Sequence, residues 1–79
     1  MNFLPELGQN LSRARKKKFP KDNMNSFSLR IGISRATYQK MEKGDLSVSL
    51  NYYYQAAKLL GVENDFSRLF LLKESLFDD

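Results

Sequence analysis

The stretch Ile31-Gly32-Ile33-Ser34-Arg35-Ala36-Thr37-Tyr38-Gln39-Lys40-Met41-Glu42-Lys43-Gly44 restricts the fold more than any other part of the chain. It reads as a tight turn followed by a short helix. Gly32 supplies the permissive backbone that a sharp turn needs. Ser34 is a good N-cap, because its hydroxyl can accept from an N–H that the first helical turn leaves unpaired. Gly44 is the usual residue type just past a helix C-terminus. Between these marks Tyr38 and Met41 stand three apart and share a face. With Ile33 they would anchor the helix on a core. Arg35, Ala36, Gln39, Lys40 and Lys43 then point outward. Cations, an amide and a small side chain that permits close approach suit the edges of base pairs in a major groove.

The rest of the composition narrows the classes. The 79 residues are read as a single domain, 1–79, near the small end of what folds alone. There is no apolar run of about eighteen residues, so no membrane span is expected. The N-terminus has no basic segment leading into an apolar one, so it does not read as a signal peptide, and a cytoplasmic protein is expected. With no Cys, disulfides and thiolate sites are excluded. The absence of His removes the commonest general base and metal ligand. No cofactor or metal site is therefore expected, and no catalytic cluster is visible, although carboxylates and lysines remain. Charge is lopsided. Residues 1–44 hold ten Lys and Arg against three acids, a net +7, whereas residues 45–79 hold three against six, a net −3. Such a field is expected of a chain that meets a polyanion with one end; a solubilising surface is the plainer alternative.

In chain order, Pro5 suits the first position of a helix. Leu4, Leu7, Leu11 and Ala14 recur at helical spacing as its buried stripe. Arg13, Arg15, Lys16, Lys17 and Lys18 gather toward its C-terminal end, where cations complement the helix dipole and can also meet phosphate. Pro20 interrupts the pattern. Asn23 or Asn25 can cap the second helix. On it Phe27 and Ile31 face the core, and Ser28 can bond back to the carbonyl four residues earlier. Ser47 or Ser49 caps a fourth helix, with Leu50, Tyr53, Tyr54, Ala57 and Leu60 inward and Gly61 at its end. Three consecutive tyrosines cannot all face inward, so Tyr52 is expected to be partly exposed. Asn64 and Asp65 would open a fifth helix over 65–77, whose apolar content exceeds the stripe that a core-packed helix needs. Phe66, Leu69 and Phe70 would seat it. Leu72, Leu76 and Phe77, with Tyr52, would be left for a partner.

The stretch from Ile31 to Gly44, with Lys43-Gly44-Asp45-Leu46-Ser47-Val48-Ser49-Leu50 and Ala57-Lys58-Leu59-Leu60-Gly61-Val62, resembles the Cro/phage-repressor (Xre) family of helix-turn-helix proteins. It is similar to small repressors, restriction-modification controller proteins and HipB-type antitoxins, from about Leu7 to Val62. The resemblance implies an all-α, compact, five-helix lambda-repressor-like domain with its helix-turn-helix at about 24–43. Carried over by position, it implies base reading by Arg35, Ala36 and Lys40, with Thr37 and Gln39 close by. Phosphate contacts would fall to Asn23, Asn25, Ser34, Lys43, Ser47 and Ser49, with Lys17 and Lys18 from the first helix. It also implies a structural pair between Glu42 and an Arg of helix one, Arg15 or Arg13. Met24 departs from the family, which often carries there a Gln that grips phosphate.

The function expected from these readings is a sequence-specific regulator, of repressor type, that binds double-stranded DNA and reads a palindromic operator as a homodimer. The alternative is an antitoxin-type interaction module that binds a toxin and autoregulates its operon.

Overall fold

The computed structural model describes residues 2–72. Four α-helices follow one another, α1 (Pro5–Lys18), α2 (Met24–Ile31), α3 (Arg35–Glu42) and α4 (Leu50–Leu60), and a 3-10 turn spans Glu63–Arg68. No strand forms among the described residues. An isolated antiparallel bridge joins Phe3 to Asp45.

The elements start and stop where local chemistry dictates. Pro5 opens α1 and Phe19 closes it ahead of Pro20. Of the two asparagines available to α2, Asn23 is the cap. Its side chain accepts from the Ser26 N–H, and the Ser26 hydroxyl oxygen accepts from the Asn23 N–H, a reciprocal pair that satisfies two orphan donors. Gly32 adopts φ +87 after α2, and a side chain there would meet open space, so backbone conformation alone selects glycine. Ser49, not Ser47, caps α4 by accepting from the Asn51 N–H.

Gly44 answers two demands at once. Its φ is +75, and a Cβ on it would stand 1.9 Å from the Leu4 carbonyl oxygen. The Gly44 and Asp45 N–H groups bond back to the Met41 and Lys40 carbonyls, closing α3 in a Schellman arrangement. Residues 2–4 lie against this closure. The Leu4 N–H donates to the Gly44 carbonyl at 2.8 Å, and the Leu46 N–H donates to the Asn2 carbonyl at 2.8 Å. Leu4 thus serves through its backbone; its side chain is largely exposed and does not belong to the buried stripe of α1.

The core is built from Leu11 of α1, Phe27 of α2, Tyr38 and Met41 of α3, and Tyr53, Ala56 and Leu60 of α4. The Phe27 ring sits 5.3 Å from that of Tyr38 and 5.5 Å from that of Phe19, so aromatic packing joins the α1 exit to both helices of the motif. Met24 packs against this core. Ser28 is buried at the α2 crossing, and its hydroxyl donates to the Asn25 carbonyl, three residues back rather than four.

Two expectations for the C-terminal third are corrected. On α4 the inward residues are Tyr53, Ala56, Ala57 and Leu60; Leu50 and Tyr54 are exposed. Leu50 stands in the first turn of α4, outside the buried cluster, and Tyr54 meets the Phe66 ring instead of the helical core. Among the described residues the expected fifth helix does not form over 65–72. A 3-10 turn with no side-chain cap takes its place, preceded by Val62 rather than capped by Asn64. Phe66 alone of the three seating residues is half-buried, edge-on to Tyr54 at 5.4 Å between centroids, whereas Leu69 and Phe70 are exposed. Leu76 and Phe77 lie outside the described residues.

Candidate nucleic-acid interface

The three residues Gly32, Ile33 and Ser34 connect α2 to α3. Ser34 accepts from the Thr37 N–H at 3.0 Å and so fixes the start of α3. From there the helical repeat divides the side chains. Tyr38 and Met41 are fully buried. Arg35, Ala36, Gln39, Lys40 and Lys43 are exposed and fall within an arc of about 140° at 100° per residue. Thr37 stands at the edge of this arc, half-buried, with its Oγ1 bonded by the Ser34 hydroxyl at 2.9 Å. The exposed face therefore carries three cations, one amide and one methyl, with no acid among them.

The base of α3 is held rigidly. Arg15 is buried, and its Nε donates to Glu42 Oε2 at 2.7 Å, with side chains 7% and 12% exposed. The same carboxylate oxygen accepts from the Tyr38 hydroxyl. A second guanidinium nitrogen of Arg15 donates to the Asp22 carbonyl at 3.0 Å, tying the α1–α2 connection into the network. Burial works against the charge on Arg15, but the hydrogen bond and charge of Glu42 outweigh it and hold the guanidinium above its ordinary pKa. Burial, reinforced by the bond to Glu42, pushes the Tyr38 phenol well above the usual tyrosine range. Close backbone contact adds to this grip. A Cβ on Gly8 of α1 would stand 2.3 Å from the Glu42 carbonyl oxygen, so only glycine lets α1 cross the end of α3 there.

The flanking polar residues occupy three places. Asn23 and Asn25 stand at the start of α2, and Lys43 closes α3. Ser47 lies in the connection to α4. Both donors of Ser47, its N–H and its hydroxyl, go to Asp45 Oδ1 at 2.8 and 2.7 Å. These bonds, the hydroxyl first, hold the Asp45 carboxyl below its ordinary pKa, and the nearby charge of Lys40 adds to them. Asp45 thus sits between Lys40 and Ser47, a neighbour to the cationic face that pattern reading passed over; its place two residues before a Ser is the signal for such a turn. On α1, Lys17 is exposed, and the Lys18 ammonium reaches to 3.8 Å from where a Cβ on Gly61 would stand, at the C-terminus of α4. A second ion pair, Arg30 with Asp22 at 2.5 Å, braces the α1–α2 connection, and the Arg30 guanidinium also covers the Phe19 ring at 4.6 Å. The Arg30 hydrogen bond keeps the Asp22 carboxyl low. Tyr52 is exposed on α4, and Leu72 is exposed at the end of the described chain.

Among the described residues no helix is long and apolar enough to cross a membrane. No curated protein and no solved structure matches the chain. Its residues 22–65, more than half of the whole, match the helix-turn-helix family model, and the match spans the turn, the capped α3 and α4. The chain belongs to the Cro/C1-type helix-turn-helix family and is a DNA-binding transcription regulator.

Proposed function

We propose that the protein is a sequence-specific regulator of repressor type that reads a palindromic operator on double-stranded DNA as a homodimer. The observation that carries this reading is the division of α3, with Tyr38 and Met41 fully buried beneath an outer face of Arg35, Ala36, Gln39 and Lys40. A helix so rooted can enter the major groove as a fixed body, with its N-terminal residues against base edges. Arg35, in the first turn, can present two donors to O6 and N7 of guanine. Lys40 lies one turn further along and offers a less rigid point charge. Ala36 and the Thr37 methyl can meet a thymine methyl, and Gln39 can pair with adenine. Asn23, Asn25, Ser34 and Ser49 stand at helix N-termini, where phosphate is favoured, and Lys43, Lys17 and Lys18 offer it their charge. Ser47 would first have to release Asp45.

Selection of sites from random duplex DNA tests the reading directly, with a two-fold symmetric consensus expected. On the selected site Arg35→Ala should weaken specific binding by about 1–3 kcal/mol and relax preference at one base pair per half-site. Equal losses on selected and random DNA would make Arg35 a phosphate contact and remove it from base reading.

A further inference from the structure

A groove of about 400 Å³ opens between the start of α1, the α3–α4 connection and the 3-10 turn. Leu4, Leu46, Leu50 and Leu69 form its rim and are 45%, 50%, 62% and 53% exposed. Tyr53 and Phe66 form its floor. Among the described lining residues Asp65 is the charged one, and Arg68 meets it at 3.5 Å. Among the described residues no cation lines the opening, and its apolar lining does not suit phosphate. The chain then leaves the rim. Leu69 lines the groove, but at Phe70 the backbone turns at φ +65, uncommon for a bulky residue, and the Leu71 N–H closes onto the Arg68 carbonyl. Phe70, Leu71 and Leu72 project away, 99%, 72% and 82% exposed.

An apolar groove and an exposed apolar run, Phe70 to Leu72, therefore meet at Leu69. A partner that filled the groove alone would leave the run in water. A second copy related by a two-fold axis beside Leu69 covers both, because each chain gives its run to the other's groove and receives one in return, the closure that an isologous contact requires. We propose that this groove is the homodimer seat and that the Phe70-to-Leu72 run of a second copy fills it. The inference rests on the homodimer reading above and specifies its surface. It adds Leu4, Leu46 and Leu50, which the apolar pattern of the C-terminal segment alone does not point to.

Analytical ultracentrifugation of the full chain tests the exchange. Wild type should be dimeric at micromolar concentration, and Leu50→Glu (groove) and Phe70→Ser (run) should each raise the dissociation constant by about tenfold or more. The exposure of Phe70 makes Phe70→Ser safe for the fold should Leu50→Glu fail to fold. Mixing the two variants should restore part of the dimer, because the heterodimer keeps one intact groove paired with one intact run. A wild-type dimer that both variants match in affinity, or a mixture no tighter than either variant alone, would overturn the exchange and leave the homodimer standing. A wild type that stays monomeric, alone and on a palindromic site that it binds, would overturn the homodimer as well. A monomer whose groove amides lose hydrogen-exchange protection in Phe70→Ser would place the run in its own groove and refute exchange between copies.

Discussion

The α3 helix and the 3-10 turn after α4 are both too short to persist alone, at eight and six residues. Their surroundings differ entirely. Under α3 lie two fully buried side chains, a cap at its start, a glycine closure at its end and a carboxylate shared by Arg15 and Tyr38. The 3-10 turn has no buried residue and no side-chain cap, and holds to the domain through a half-buried Phe66. In a small domain, helix order thus follows from what the element buries and how its ends are satisfied, with intrinsic propensity deciding little. The element with the cationic outer face is the one fixed from every side, while the 3-10 turn buries no side chain fully.

The contrast predicts a graded set of effects. Tyr38→Ala should be the most damaging, at roughly 3–5 kcal/mol in urea unfolding, since it empties a fully buried aromatic site. A loss below about 1 kcal/mol would mean that α3 is not rooted as described. Glu42→Ala comes next, at about 3 kcal/mol, because it strands the buried Arg15 charge and removes the acceptor of the Tyr38 hydroxyl. Unchanged thermal stability with a collapse of DNA affinity would instead make Glu42 part of the DNA contact.

Alkaline pH probes the same network more gently. The native Tyr38 phenol titrates above its unfolded counterpart, which ionises near pH 10. The neutral form is the one bonded to Glu42, so this contribution is complete below about pH 10 and falls as pH rises beyond it, by at most about 1.4 kcal/mol per unit. Tyr38→Phe should flatten that decline. Part should remain, because burial and then the Asp45 charge also raise the Tyr53 phenol. An identical slope in Tyr38→Phe would show that Tyr38 ionises freely. Smallest is Phe66→Ala, at about 1 kcal/mol for a half-buried ring. A cost as large as that of Tyr38→Ala would erase the difference between the two regions.

Several boundaries were legible from residue types because their causes are local. Pro5, Ser34, Gly32 and Gly44 act within one turn of themselves, through a fixed φ, a hydroxyl acceptor or a backbone free of a Cβ clash. The outward side of α3 followed from 3.6-residue periodicity with two large apolar residues to orient it. The choice between Asn23 and Asn25 was not legible, since both side chains can accept; Ser26 three residues on decides it. Nor was the inward face of α4, where apolar residues occur nearly all round and periodicity has no contrast to read. The same lack of contrast made residues 65–77 read as a helix. A run rich in Phe and Leu reports that apolar surface must be covered, without stating in what conformation or by which chain.

By itself, then, the sequence determined the helix-turn-helix: short-range chemistry set its caps, its turn and the cationic side of α3. Tertiary structure decided what depends on distant partners. Arg15 and Glu42 are 27 residues apart and meet only because glycine at position 8 lets α1 cross the end of α3. Leu4 leaves the core because its backbone is needed beside Gly44. Phe70, Leu71 and Leu72 stay exposed because the backbone turns off the groove rim at Phe70, with φ +65, a turn that no residue pattern announces.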